Sequence, residues 1–328
     1  MFATPDEVWK GKARSRSVHL LLVLLAWLSL AAFFFKNGLK GKDIFDTKLA
    51  DERGWPNFPT HMHDPALFVA SKKVVAYSLY GNNSRYLPGA VANAASVPII
   101  YPGWVARFYV DNTVPEAWIH ELQALNAEVI EAPIFQGVYW NYARTLWRYL
   151  CLSDPEVDYC MARDSDSFIT LREVTAVNEW LYKTNKTFHG MRDHPHHEFE
   201  VMAGMCGFHA RVVRQKLDVA ASITHYVNQR ELAGTVGWAI DQDWLRDVMF
   251  AAEVDDMISH DSYFCQKPLY EPSTIVPFPL PRSWTGEHVG QVVGVAYEAG
   301  SLYFDNSKKH VLQEAPEECR KKSEYLFG

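Results

Sequence analysis

The chain has 328 residues, 48% of them hydrophobic, including 11 Trp, 16 Tyr and 18 Phe, enough for a large core in one big α/β domain or two smaller ones. Its net charge of −7 is uneven: residues 1–42 carry seven Lys/Arg against two acidic residues, and the remainder carries 25 basic against 37 acidic residues, a net of −12. A body that acidic argues against nucleic acid as a partner.

Residues 1–17 read as a short cytoplasmic tail. Residues 18–35 contain no Asp, Glu, Lys or Arg. Such a run is near the lower limit, about 17–25 residues, for a spanning helix. At about 1.5 Å per residue it would reach roughly 27 Å, which suits a thinner membrane such as that of the early secretory pathway. The run exceeds the usual signal-peptide core, and no small-x-small cleavage site follows it before the triple Phe. It is therefore expected to be an uncleaved signal-anchor of a single-pass type II protein of the Golgi or endoplasmic reticulum, with the bulk of the chain luminal. The sequons Asn82-Asn83-Ser84 and Asn185-Lys186-Thr187 agree with that exposure. None of the five cysteines (151, 160, 206, 265, 319) forms a Cys-x-x-Cys pair. Cys160 and Cys206, in apolar strand-like runs, read as buried small hydrophobes.

Residues 36–71 mix Lys, Gly, Asp and Pro without periodicity and read as a stem. The luminal catalytic domain is expected over 72–328. Residues 73–80 form a strand stopped by Gly81, residues 87–100 a helix, and 107–110 a short strand ending at Asp111. Pro115 opens a helix to about 125, and 128–132 is the next strand. Residues 139–152 have helical periodicity, with Tyr142, Leu146, Tyr149 and Leu150 as core contacts and Arg148 at the surface. The apolar run from 157 then ends in Arg163-Asp164-Ser165-Asp166. Alternating strands and helices at this spacing predict a Rossmann-like, mostly parallel central sheet flanked by helices. No internal repeat, low-complexity tract or Gly-rich phosphate loop is present.

Ligands of open α/β sheets sit beyond the carboxyl ends of the strands. Asp164 and Asp166 therefore stand where a carboxylate pair can hold a hard divalent cation shared with substrate phosphates. The bland alternative is strand-to-turn chemistry, which favours the same residue types. Two further polar clusters follow. Residues 189–198 (HGMRDHPHHE) lack a zinc-ligand spacing and read as a loop at the rim of a site. Asp241-Gln242-Asp243 reads as a helix N-terminus, a role compatible with binding a ligand.

With these residues in view, residues 72–290 resemble metal-dependent glycosyltransferases of the A-type fold, closest in pattern to the retaining glycogenin-like and glycoprotein-glucosyltransferase families. Tyr142-Ala143-Arg144 is similar to the family's Tyr-x-Arg segment, and Arg163-Asp164-Ser165-Asp166 to its Asp-x-Asp motif. Met202-Ala203-Gly204-Met205 resembles a family strand, and Asp241-Gln242-Asp243 the stretch lining donor sugar and acceptor. The resemblance implies a UDP-sugar donor on Mn²⁺ (or Mg²⁺), held by Asp164, Asp166 and His260 as metal ligands, with Asp164 acting partly through ribose or water. It implies Tyr80, Arg144, Arg163 and Asp164 around the nucleotide, and Gly204 and Gln242 on the substrate; Arg192, Asp193 and His194, in a loop rimming the acceptor, could bond sugar hydroxyls. Asp241 and Asp243 take the catalytic positions, and the stretch from Trp284 to Gly290 a lid. The implied reaction is hexose transfer to a hydroxyl of a glycan, lipid or protein. The alternatives are a non-catalytic glycan-binding module on the same fold, and a metal-dependent hydrolase.

Overall fold

A computed structural model describes residues 71–132, 140–267, 273–282, 287–296, 301–304 and 316–320. The tail, the apolar run 18–35 and residues 36–70 of the stem lie outside the described residues, as does Trp284. The described residues all fall in the compact unit Pro59–Gly328. Among the described residues no helix is long and apolar enough to cross a membrane.

Eight strands form one sheet: β1 (Lys72–Leu79), β2 (Trp104–Val110), β3 (Glu128–Glu131), β4 (Val157–Arg163), β5 (Phe188–Arg192), β6 (Met205–His209), β7 (Met257–Asp261) and β8 (Thr274–Val276), in the order β3-β2-β1-β4-β6-β5-β7-β8. All neighbours are parallel except β6, which runs antiparallel to both β4 and β5. The mixed sheet with flanking helices fits the Rossmann-like arrangement expected from the sequence. A separate hairpin pairs β9 (Val293–Ala296) with β10 (Ser301–Phe304).

Strand residues point alternately to the two faces, and each face carries its own core. Val74, Ala76, Cys160, Ala162 and Phe208 are buried on one side; Val75, Tyr77, Phe108, Tyr159 and Met161 on the other. β4 is buried along its whole length, as its unbroken apolar sequence requires of a strand covered on both faces.

The helices are α1 (Leu87–Ile100), α2 (Glu116–Ala124), α3 (Trp140–Ala143, continuing as a 3-10 helix over Arg144–Ser153), α4 (Leu171–Lys183), α5 (Ala210–Lys216), α6 (Val219–Leu232) and α7 (Ile240–Trp244). Thr170 caps α4 by accepting from the Glu173 amide, and Asp218 caps α6 by accepting from the Ala221 amide.

Three sequence expectations change. Residues 202–204 precede β6 as a turn rather than forming a strand. Tyr142 is exposed, because the chain beyond Ala143 winds as a 3-10 helix, whose three residues per turn rotate the buried face away from an α-helical phase. Cys160 is not a lone hydrophobe: it is disulfide-bonded to Cys151, and Cys265 to Cys319, while Cys206 is free and buried.

Candidate active site

Asp164 follows the last residue of β4, so it stands at the sheet's carboxyl edge beside the ends of β1 and β2. Its backbone neighbourhood is fixed from α1. Asn93 Nδ2 donates to the carbonyls of Ser165 (3.2 Å) and Ser167 (3.0 Å). Gly89 packs so closely on the Ser165 carbonyl that a Cβ there would overlap it. On the other side Gly204 packs on the Asp164 carboxylate, which leaves no room for a Cβ. Gly204 is thus held by a close approach to a site residue.

Asp164 is half-exposed and Asp166 only 5% exposed. Arg148, 16 residues before Asp164, donates to its Oδ1 and also to the Oδ2 of Asp241. This buried guanidinium thereby joins the Asp-x-Asp turn to α7. The Ser78 hydroxyl, itself donating to the Thr145 carbonyl (3.2 Å), accepts from the Arg148 amide (3.0 Å). Arg85, half-exposed, donates Nε to Asp166 Oδ2 at 2.7 Å.

Burial, and then the neighbouring Asp164 charge, raise the Asp166 pKa; Arg85 offsets them only in part. Burial likewise raises that of Asp241, where Arg148 pulls down and Asp164 pushes up. Three carboxylates share two guanidiniums, and the excess negative charge suits a cation. Among the described residues no group of three or more His, Cys, Asp or Glu is placed to hold a metal. The Asp164–Asp166 pair fits a Mg²⁺- or Mn²⁺-type site that takes its other oxygens from phosphate and water.

Arg144 lies 3.2 Å from Asp111, at the end of β2, with its guanidinium 5.5 Å from the centre of the Tyr80 ring. Tyr80 follows β1 and packs edge-on against Trp147. Both therefore belong to the carboxyl edge that carries Asp164. Gln242 is buried and clamps the turn before β6: its Oε1 accepts from the Ala203 amide (3.0 Å) and its Nε2 donates to the Val201 carbonyl.

The remaining candidates stand elsewhere. Arg163, next in sequence to Asp164, points to the opposite side, as alternation along a strand demands. It is buried on Glu173 (2.6 Å) and on the carbonyls of Ala162 and Cys206, so it offers nothing to a diphosphate. Asp243, two positions after Asp241 on α7, faces Arg246 (3.2 Å) and Arg230 (3.8 Å) instead of Arg148. His260 is fully buried within β7, with Nδ1 2.9 Å from His189 Nε2 and Nε2 3.2 Å from Glu179. With both nitrogens engaged and two strands between β7 and β4, it is not a ligand beside Asp166.

Arg192 and Asp193 are also buried. Arg192 bonds Asp261 (2.7 Å) and the Glu200 carbonyl. Asp193 accepts from Arg172 (2.8 and 3.0 Å), Ser262 (2.6 Å), Arg282 (2.7 Å) and the Val289 amide (3.0 Å). Burial alone would raise its pKa, but Arg172, Arg282 and Ser262 outweigh burial and hold it low. Both side chains are sealed inside the protein, 1% and 0% exposed, which leaves neither to grip a sugar. His194 is only partly buried, and its ring is 4.7, 5.2 and 5.4 Å from those of His288, His196 and His197. The segment through Val289 continues to Val292, which bridges Ser167. Val289, in the described part of the expected lid, thus bonds Asp193 after β5, and Val292, two residues beyond that stretch, reaches the Asp-x-Asp turn.

No protein-family profile matches the chain, and no curated protein matches it in sequence. Similar solved structures include the galactosyltransferase LgtC in complex with donor and acceptor sugar analogues (TM-score 0.41, 13% identity, 76% of this chain and 100% of that one). Another is glucosyl-3-phosphoglycerate synthase from Mycobacterium tuberculosis in complex with Mn²⁺, UDP-glucose and phosphoglyceric acid (TM-score 0.37, 12% identity, 62% and 75%). A third is the glycosyltransferase GlyE in Streptococcus pneumoniae TIGR4 (TM-score 0.36, 13% identity, 58% and 45%).

Proposed function

We propose that the chain is a metal-dependent glycosyltransferase. It moves a hexose from a nucleotide-sugar, in the first instance a UDP-sugar, to a hydroxyl of a glycan, lipid or protein, with retention of configuration. One observation carries this reading: a carboxylate pair at the carboxyl end of the central strand, linked by a buried arginine to a third carboxylate, the three sharing two guanidiniums. Mn²⁺ or Mg²⁺ held by Asp164 and Asp166 would supply Lewis acidity that neutralises charge on the departing diphosphate.

The chain's own residues then divide the work. Arg148 orients Asp164 and Asp241 together. Asp241, buried and facing the same guanidinium, accepts hydrogen bonds from hydroxyls of the donor sugar. Tyr80 and Arg144 face the nucleotide from the ends of β1 and β2. Gln242 and Gly204 shape the turn on which the sugar rests.

The luminal placement is part of the proposal. Two disulfides favour an oxidising compartment, and Asn82 and Asn185 are both exposed. Treating the full chain, expressed in eukaryotic cells, with an N-glycanase and following its mobility on a gel tests that part; an unchanged mobility speaks against it. The activity itself is tested by nucleotide release from UDP-hexoses with and without Mn²⁺. Wild-type protein that releases none under either condition contradicts the reading.

A further inference from the structure

The turn between β1 and α1 brings a second cation to the Asp-x-Asp residues. Asn83 builds that turn: its Oδ1 accepts from the Arg85 amide (2.9 Å), and its carbonyl from the amides of Tyr86 (3.1 Å) and Leu87 (3.3 Å). β1 and β4 are parallel neighbours, so a turn leaving the end of β1 stands at the same carboxyl edge as Asp166. There Arg85 Nε donates to Asp166 Oδ2 at 2.7 Å, and its guanidinium lies 5.4 Å from the centre of the Tyr86 ring. Arg85 differs from the other arginines of this edge. Arg148 is buried and spends its terminal nitrogens on Asp164, Asp241 and the Arg163 carbonyl. Arg144 is paired with Asp111. The Arg85 side chain is half-exposed, and neither of its terminal nitrogens bonds a described residue.

A guanidinium presents parallel N–H donors along its edges, and such an edge matches the paired oxygens of a phosphate. We infer that Arg85 binds the diphosphate of the donor, beside the cation on Asp164 and Asp166. The inference rests on the transferase reading and adds a binding residue to that same site. The bond from Nε to Asp166 holds the guanidinium at the carboxylate pair and leaves its terminal nitrogens for the ligand. Charge favours the same role. With a divalent cation in place, the three carboxylates and two guanidiniums of the site carry one net positive charge. Without Arg85 that surplus is gone, and a diphosphate would enter a neutral site. A half-exposed ion pair adds little to stability, so the pairing of Arg85 with Asp166 matters more for binding than for folding.

The test is isothermal titration of UDP, and separately of pyrophosphate, into the full chain with Mn²⁺, on wild type, Arg85→Ala and Arg85→Lys. The electron-spin signal of free Mn²⁺ reads metal binding in the absence of nucleotide. Arg85→Ala should weaken UDP and pyrophosphate alike, by about ten- to a hundredfold. It should leave Mn²⁺ binding as tight as in wild type or tighter, since a positive charge is removed. Arg85→Lys keeps the charge without the fork and should fall between the two; where Arg85→Ala lowers the melting temperature, Arg85→Lys carries the test. UDP binding equal to wild type in either variant overturns the inference. So does a loss confined to UDP, which would put Arg85 on the base or ribose, and so does wild type that binds no pyrophosphate. A loss of Mn²⁺ binding as large as that of UDP also overturns it, because Arg85 would then only support Asp166. Failure of the transferase reading is scored separately, by the absence of metal-dependent nucleotide release from wild-type protein.

Discussion

The guanidinium of Arg148 and the carboxylate of Asp241 lie 93 residues apart in sequence and form a buried ion pair beside Asp164. The pair makes the Asp-x-Asp turn and the first turn of α7 one unit. It also puts a fixed positive charge where carboxylates would otherwise repel. Removing one partner of such a pair leaves a buried charge uncompensated.

Arg148→Ala should therefore destabilise the fold by about 3–5 kcal/mol and abolish donor turnover. Urea denaturation reads the first effect and nucleotide release the second. Arg148→Lys keeps the charge but cannot reach both carboxylates with a planar fork. Its stability should fall between the two, with activity still far below wild type.

Gly89→Ala tests the seating of the Asp-x-Asp turn from behind. A Cβ there overlaps the Ser165 carbonyl, a backbone atom that can yield only by moving the turn. The variant should fold, with a loss of about 1–3 kcal/mol, and need more Mn²⁺ for half-maximal activation. An Mn²⁺ titration identical to that of wild type would show that α1 does not position the carboxylates.

Buried Asp193 gives a contrasting case. Arg172, Arg282, Ser262 and the Val289 amide all converge on it, so Asp193→Ala should cost about 3–5 kcal/mol. The cost is structural, and thermal unfolding should report it in the absence of any substrate. A melting temperature equal to that of wild type would contradict the placement.

Acid should weaken the segment that carries the histidines. Burial, then the neighbouring His194 and His288, lower the His197 pKa to about 3. The folded state resists protonation while the unfolded chain takes a proton near pH 6.5. Its contribution is intact above that value and is lost as pH falls toward 3; at pH 5 the loss is about 2 kcal/mol. Asp166 and Asp241, whose pKa values are raised mainly by burial, act with the opposite sign. His197→Asn should flatten the fall in urea midpoint between pH 7 and pH 5; an unchanged slope would assign that fall to other groups.

The sheet was legible because it rests on a local signal: an unbroken apolar run makes a covered strand, and the Asp pair falls just past its carboxyl end. Side-chain direction was less legible. Arg163 and Asp164 are neighbours, yet strand alternation sends one into the core and the other to the edge. Asp241 and Asp243 belong to one motif, yet two steps along a helix turn them to different partners. Arg148 read as a surface residue because α-helical phase was assumed, whereas Arg144–Ser153 winds as a 3-10 helix and buries it. His260 reads as a ligand only by resemblance, from its late place in the chain. Only the pairing of β5 with β7 shows that His189 is its neighbour.

The central claim is that Asp164 and Asp166 hold a cation that holds a diphosphate. Its most direct test is isothermal titration of UDP into the protein with and without Mn²⁺, on wild type and on Asp166→Ala. The account predicts heat of binding only when Mn²⁺ is present, and its loss in Asp166→Ala while the melting temperature stays within a few degrees of wild type. Equal UDP binding without metal, or undiminished metal-dependent binding in Asp166→Ala, would contradict it.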